Sequence, residues 1–94
     1  MQLGQKLKKL REERNLMQRQ IGALIEIDGA LISKIENGEK PINRKHLQKL
    51  SKFFGEPLHE FEKLWLSDKI ERTLHQEKYA KEALELCYKT YEVS

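Results

Sequence analysis

At 94 residues the chain fits one small domain, which buries somewhat over ~60% of its unfolded surface on folding. Its formal charge of +3 is unevenly spread: residues 1–55 carry twelve Lys and Arg against six Asp and Glu (12 − 6 = +6), residues 56–94 six against nine (6 − 9 = −3). With no apolar run near 18 residues, no leader-like opening and a single cysteine, the composition excludes a membrane span, an intrachain disulfide and a cysteine metal cluster, and points to a soluble, cytoplasmic protein.

Glycine and proline fall at seven positions up to Pro57 and nowhere beyond, so short helices are expected in front and longer ones behind. No window alternates apolar and polar residues with period two, which leaves an all-α chain. A first helix, about Leu3 to Arg14, has Leu3, Leu7 and Leu10 as its apolar stripe, and Asn15 suits its end. A second starts near Met17 or Gln18 and turns Ile21, Leu24 and Ile25 inward, with Gly22 and Ala23 small enough for another helix to approach closely. It must stop near Glu26.

Asp28 makes an N-cap for a third helix, Gly29 to about Asn37, with Leu31, Ile32 and Ile35 inward, Ser33 and Lys34 outward, and Gly38 ending it in the left-handed conformation. Asn43 caps a fourth, about Arg44 to Phe54, which buries Leu47, Leu50, Phe53 and Phe54. From Pro57 a fifth carries Leu58, Phe61, Leu64, Trp65, Leu66, Ile70 and Leu74. The apolar phase then slips and restarts at Tyr79, so "HQEK", His75 to Lys78, is read as a turn between antiparallel helices; one unbroken helix over 57–91 is the alternative. Cys87 is read as a buried thiol.

The second and third helices, separated by a short turn and buttressed on both sides, have the spacing of a helix-turn-helix. The major groove, about 12 Å wide, admits one such helix. The stretch "LKKLREERNLMQRQIGALIEIDGALISKIENGEKPI" resembles the Cro/repressor-type (XRE) helix-turn-helix family, with its "LRxxRxLxQxxxA", turn and "xxxISxIExG" pattern, over about Leu3 to Gly55. The resemblance implies a lambda-repressor-like bundle in which Arg11 and Glu36 form a buried ion pair and Gln18 bonds a phosphate and braces the start of the reading helix. It places Asn37, Lys40, Asn43 and Arg44 at phosphate contacts and Gly29, Ala30, Ser33 and Lys34 toward the bases. Many members carry Gln, Ser, Arg or Thr where Gly29 and Ala30 stand. Either the two are compact helix-start residues, or they let groove and backbone approach and shift discrimination onto Lys34, Arg44, Arg19 and DNA shape.

The second half, "EPLHEFEKLWLSDKIERTL" and a further helix, is similar to the C-terminal extension of small regulators found beside restriction-modification systems. Residues 1–55 are thus expected to form the DNA-binding domain and 56–94 a helical extension packed on it that dimerises, with Phe61, Trp65 and Leu66 at the interface. For Trp65, packing beneath the first and fourth helices is the alternative. No histidine has a partner at metal-ligand spacing, and no phosphate-cradling loop or nucleophile motif is present, so no metal, cofactor or enzymatic activity is expected. The expected function is a homodimeric transcriptional regulator that binds a palindromic double-stranded DNA operator, controls a restriction-modification or neighbouring operon, and touches RNA polymerase if it activates. The rival is a protein-interaction module, antitoxin or adaptor, on the same fold.

Overall fold

The computed structural model describes residues 1–92; the last two residues of the expected extension lie outside the described residues. Six helices follow one another: α1 (Gln2–Glu13), α2 (Gln18–Leu24), α3 (Gly29–Glu36), α4 (Leu47–Phe54) opened by a 3-10 turn over Arg44–His46, α5 (Leu58–Leu74) and α6 (Ala80–Glu92). No strand occurs among the described residues, and no described helix is long and apolar enough to cross a membrane.

Helix ends fall where local chemistry puts them. Asn15, Glu26 and Gln76 have positive φ at the ends of α1, α2 and α5, and Gly38 (φ 79°) follows Asn37 at the end of α3. The α2–α3 turn is tight: Ile27 N–H donates to the Gly22 carbonyl at 2.7 Å, and a Cβ on Gly22 would overlap the Ile27 carbonyl oxygen. The small residue at Gly22 is therefore needed by the turn that follows α2. At residues 75–78 the chain breaks as the slipped periodicity predicts: His75 is extended (φ −56°, ψ 128°) and Gln76 left-handed (φ 64°), which rules out one helix over 57–91.

Leu3, Leu7, Ile21, Ile25, Ile32, Ile35, Ile42, Leu47, Leu50, Phe54 and Phe61 form one core, each removing apolar surface from water. It crosses from the first four helices into α5. Three expectations change here. Phe53 is 42% exposed, because the inward arc of α4 is centred on Leu47, Leu50 and Phe54 and puts Phe53 at its edge. Its ring meets Phe54 edge-on, with the Arg14 guanidinium over both. Cys87 is exposed, since no residue of α6 is buried. Phe61, assigned to a partner-facing surface, is fully enclosed by its own chain and has no face left for a partner.

α5 divides into three stripes. Phe61, Leu64 and Asp68 turn inward; Glu62, Trp65 and Lys69 turn toward the connection between α3 and α4; Lys63, Leu66, Ser67 and Ile70 turn outward. Asp68 reaches α1, where its two carboxylate oxygens accept the backbone N–H groups of Gln2 at 2.9 Å and Leu3 at 3.0 Å. An acid at the positive end of α1, supplied from 65 residues away, takes the place of a local cap.

Candidate nucleic-acid interface

Each step along a helix turns a side chain by about 100°, which divides α3 in two. Ile32, Ile35 and Glu36 form the buried arc; Ala30, Lys34 and Asn37 form the exposed one, with Ser33 half-buried at its margin. Leu31, expected in the core, is 36% exposed. Glu36 takes the third inward position in its stead. Leu31 lines a shallow groove beside α3 with Ile27, Pro41, Asn43, Lys45 and Lys49, where an exposed aliphatic group suits a thymine methyl.

Glu36 can be buried because it is fully paired. The Arg11 guanidinium holds it bidentately (Nε to Oε2 2.8 Å, Nη2 to Oε1 3.0 Å) while Nη1 donates to the Leu16 carbonyl at 2.7 Å. The hydrogen bond to Glu36 and its charge raise the Arg11 pKa above its ordinary value, against the cost of burial. Gln18 donates its side-chain amide to Glu36 Oε1 at 3.0 Å. It therefore braces the end of α3, where the sequence reading put it at the start. Together the three side chains lock α1, α2 and α3 at one point.

The bare first turn of α3 has a packing cause. A Cβ on Gly29 would stand 3.3 Å from Arg19 Cα and 3.4 Å from Arg19 N, tighter than side chains normally pack. The missing Cβ of Gly29 thus points at α2, and Ala30 is the exposed residue of the pair. Asp28 Oδ1 accepts the Ala30 N–H at 2.8 Å, so an acid closes the positive end of α3. The turn that opens α4 is arranged oppositely. Its cap is the neutral Asn43, whose Oδ1 accepts from Lys45 N at 3.0 Å, and Arg44, Lys45 and His46 follow, a helix start suited to phosphate. Burial, then Lys45 and Lys49, push the His46 pKa below its ordinary value, with Glu26 opposing.

The connection folds back on α3: Glu39 N–H and Lys40 N–H both donate to the Lys34 carbonyl, at 2.8 and 3.4 Å. Arg19, Lys34, Asn37, Lys40, Asn43 and Arg44 are all exposed, and among the described residues Arg19, Lys34 and Lys40 form no salt bridge. A short helix with an open basic edge, between a capped helix start and a packed partner helix, is a geometry that can enter a groove while its flanks meet phosphates.

The helix-turn-helix family pattern matches residues 7–61. The chain belongs to the helix-turn-helix family. It is of the Cro/repressor (XRE) type, a class of DNA-binding transcriptional regulators, and its family unit reaches the first turn of α5. This helix-turn-helix protein is similar to the control protein C.MunI of a Mycoplasma species, with 41% identity over 58 residues that cover 61% of this chain and 78% of the relative. No solved structure matches the chain.

Two features of this helix-turn-helix protein lie beyond the expected site. The Arg44 guanidinium is not simply open to solvent: it lies over the Trp65 ring, 5.1 Å from the centroid, and 3.5 Å from Glu62 Oε2. Trp65 is half-buried and its indole N–H donates to the Ile42 carbonyl at 2.9 Å. Spacing on α5 puts 62, 65 and 69 on one stripe, but no local signal reveals that this stripe faces Arg44. Leu66, by contrast, is 44% exposed on the outward stripe.

Proposed function

We propose that this regulator binds a two-fold symmetric operator as a homodimer, with one α3 in each of two successive major grooves about 34 Å apart, and controls a restriction-modification or neighbouring operon. The observation that carries DNA reading is the exposed edge of Ala30, Lys34 and Asn37, with Ser33 half-buried at its margin, flanked by Arg19 on one side and by Lys40, Asn43 and Arg44 on the other. Lys34 reaches guanine O6 or N7, Ser33 bonds a base edge, Ala30 and Leu31 meet thymine methyls, and Arg19, Asn37, Lys40, Asn43 and Arg44 hold the phosphates. So few base contacts leave much of the discrimination to DNA shape. The control-protein relative supports the regulatory role. Residues 1–55 carry the DNA contacts and 56–94 the assembly.

The outward stripe of α5 and the near side of α6 support the dimer. Leu66, Ile70, Leu74, Ala80 and Leu84 line one apolar groove, and Leu66 and Ile70 are 44% and 47% exposed. Lys63 and Glu71 stand four residues either side of Ser67, a small residue that lets helices approach. An antiparallel pairing of two α5 helices about an axis at Ser67 therefore sets Lys63 against Glu71 of the partner subunit. Within one chain the two rest on Glu60 (3.1 Å) and His75 (3.5 Å), exposed contacts that contribute little and exchange readily.

Selection of bound duplexes from a random pool supplies the operator, and Lys34→Ala combined with Arg44→Ala tests the assignment. Affinity is expected to fall at least about tenfold, and the slope of log affinity against log salt to become shallower by roughly one to two. Unchanged affinity and salt dependence would leave the protein-interaction module as the better reading.

A further inference from the structure

Glu62 and Trp65, on one stripe of α5, grip the segment from Ile42 to Arg44 in three different ways. The Trp65 N–H holds the Ile42 carbonyl, the Trp65 ring carries the Arg44 guanidinium at 5.1 Å and the Lys69 ammonium at 5.4 Å, and Glu62 approaches Arg44 at 3.5 Å. These contacts do different jobs. A ring beneath a guanidinium fixes its plane while leaving its edge free to donate. The carboxylate offers that edge an anion, in a loose ion pair that lacks hydrogen-bond geometry and is half open to water, with side-chain exposures of 52% and 39%.

We infer that Trp65 is a positioning residue for phosphate contact by Arg44, and that Glu62 is an internal rival which the DNA phosphate must displace. The inference rests on the DNA-binding reading, with Arg44 at a phosphate. An orienting carboxylate would hold the guanidinium with paired, short hydrogen bonds, as Glu36 holds Arg11 at 2.8 and 3.0 Å. Glu62 does not. Among the described residues Glu62 is the one acid in an ion pair with Arg44, and a bound phosphate replaces it at the fork.

The test uses the full chain and a mixed-sequence duplex of about 30 base pairs at low salt, where phosphate contacts supply nearly all the affinity. Salt-dependent binding by the unaltered chain establishes the DNA reading independently; its absence overturns both. Given that binding, Glu62→Gln is expected to tighten it about two- to fivefold, the range of an exposed ion pair converted to a binding ratio. In an Arg44→Ala background the same change is expected to have much less effect, because the rival has nothing left to compete for. Equal tightening in both backgrounds would reduce Glu62 to general repulsion, and weaker binding by Glu62→Gln would make it an orienter; either result overturns the inference. Trp65→Leu supplies the second arm: duplex binding should fall severalfold with the sedimentation coefficient unchanged, whereas loss of the dimer would return Trp65 to the subunit interface.

Discussion

Replacement of Arg11 by alanine is expected to lower the free energy of unfolding by about 3–5 kcal/mol, measured by urea denaturation at neutral pH. Glu36 is the reason. Its side chain is 1% exposed, and the substitution removes both guanidinium hydrogen bonds and the neutralising charge, leaving only the Gln18 amide. The Leu16 carbonyl loses its donor as well. Against a total of about 5–15 kcal/mol for a typical domain, such a loss removes a substantial share of the stability. Arg11→Met combined with Glu36→Leu is expected to recover most of the stability, because removing both charges leaves none unpaired. If the single variant were as stable as the double one, the pair would not be a buried charge lock. The raised Arg11 pKa sets the direction with pH: its stabilisation is fully present below the ordinary arginine value and lost only as pH rises through the higher folded one, so no alkaline loss from this group arises in the working range.

The second large effect belongs to assembly. Ile70→Glu is expected to give a monomer by sedimentation, with helix content over α1 to α5 retained and operator affinity lower by about a hundredfold or more, since linked half-sites gain roughly 10² to 10⁴ from acting together. Ile70 is 47% exposed in one chain, so a charge there costs the monomer little, while in a two-fold dimer it appears twice in one apolar groove. A change at Phe61 would be a poor probe, because its ring is fully enclosed and truncation acts on the fold, by about 3–5 kcal/mol. A dimer unaffected by Ile70→Glu would place the assembly surface elsewhere.

Much of the fold was legible because its signals are local. The Asp28 and Asn43 caps, the Gly38 stop and the phase slip at residues 75–78 each depend on a few neighbouring residues, and each stands where the sequence puts it. The errors cluster where an apolar residue competes with something distant for an inward position. Leu31 yields its place to Glu36, whose burial depends on an arginine 25 residues earlier. Phe53 and Cys87 satisfy a helical period yet lie outside the core, since periodicity ranks faces of a helix without saying which neighbour covers them. Among the candidate site residues, Gly29 was ambiguous for the same reason: a missing Cβ looks alike whether groove or helix approaches it, and here Arg19 of α2 does. The attachment of Arg44 to Glu62 and Trp65 left no trace in the sequence because it joins elements that are brought together only by the packing of α5.

The carboxylate of Asp68 closes the first helix from the fifth. During synthesis, the opening residues of the chain emerge long before the side chain that finishes their helix. The N–H groups of Gln2 and Leu3 therefore wait until residue 68 has been made, and they are closed in the same event that seats α5 against the body. A chain cut after Gly55 would lose Phe61 from its core and the end stop of its first helix together, so the DNA-facing part and the part proposed to assemble are timed to become folded as one.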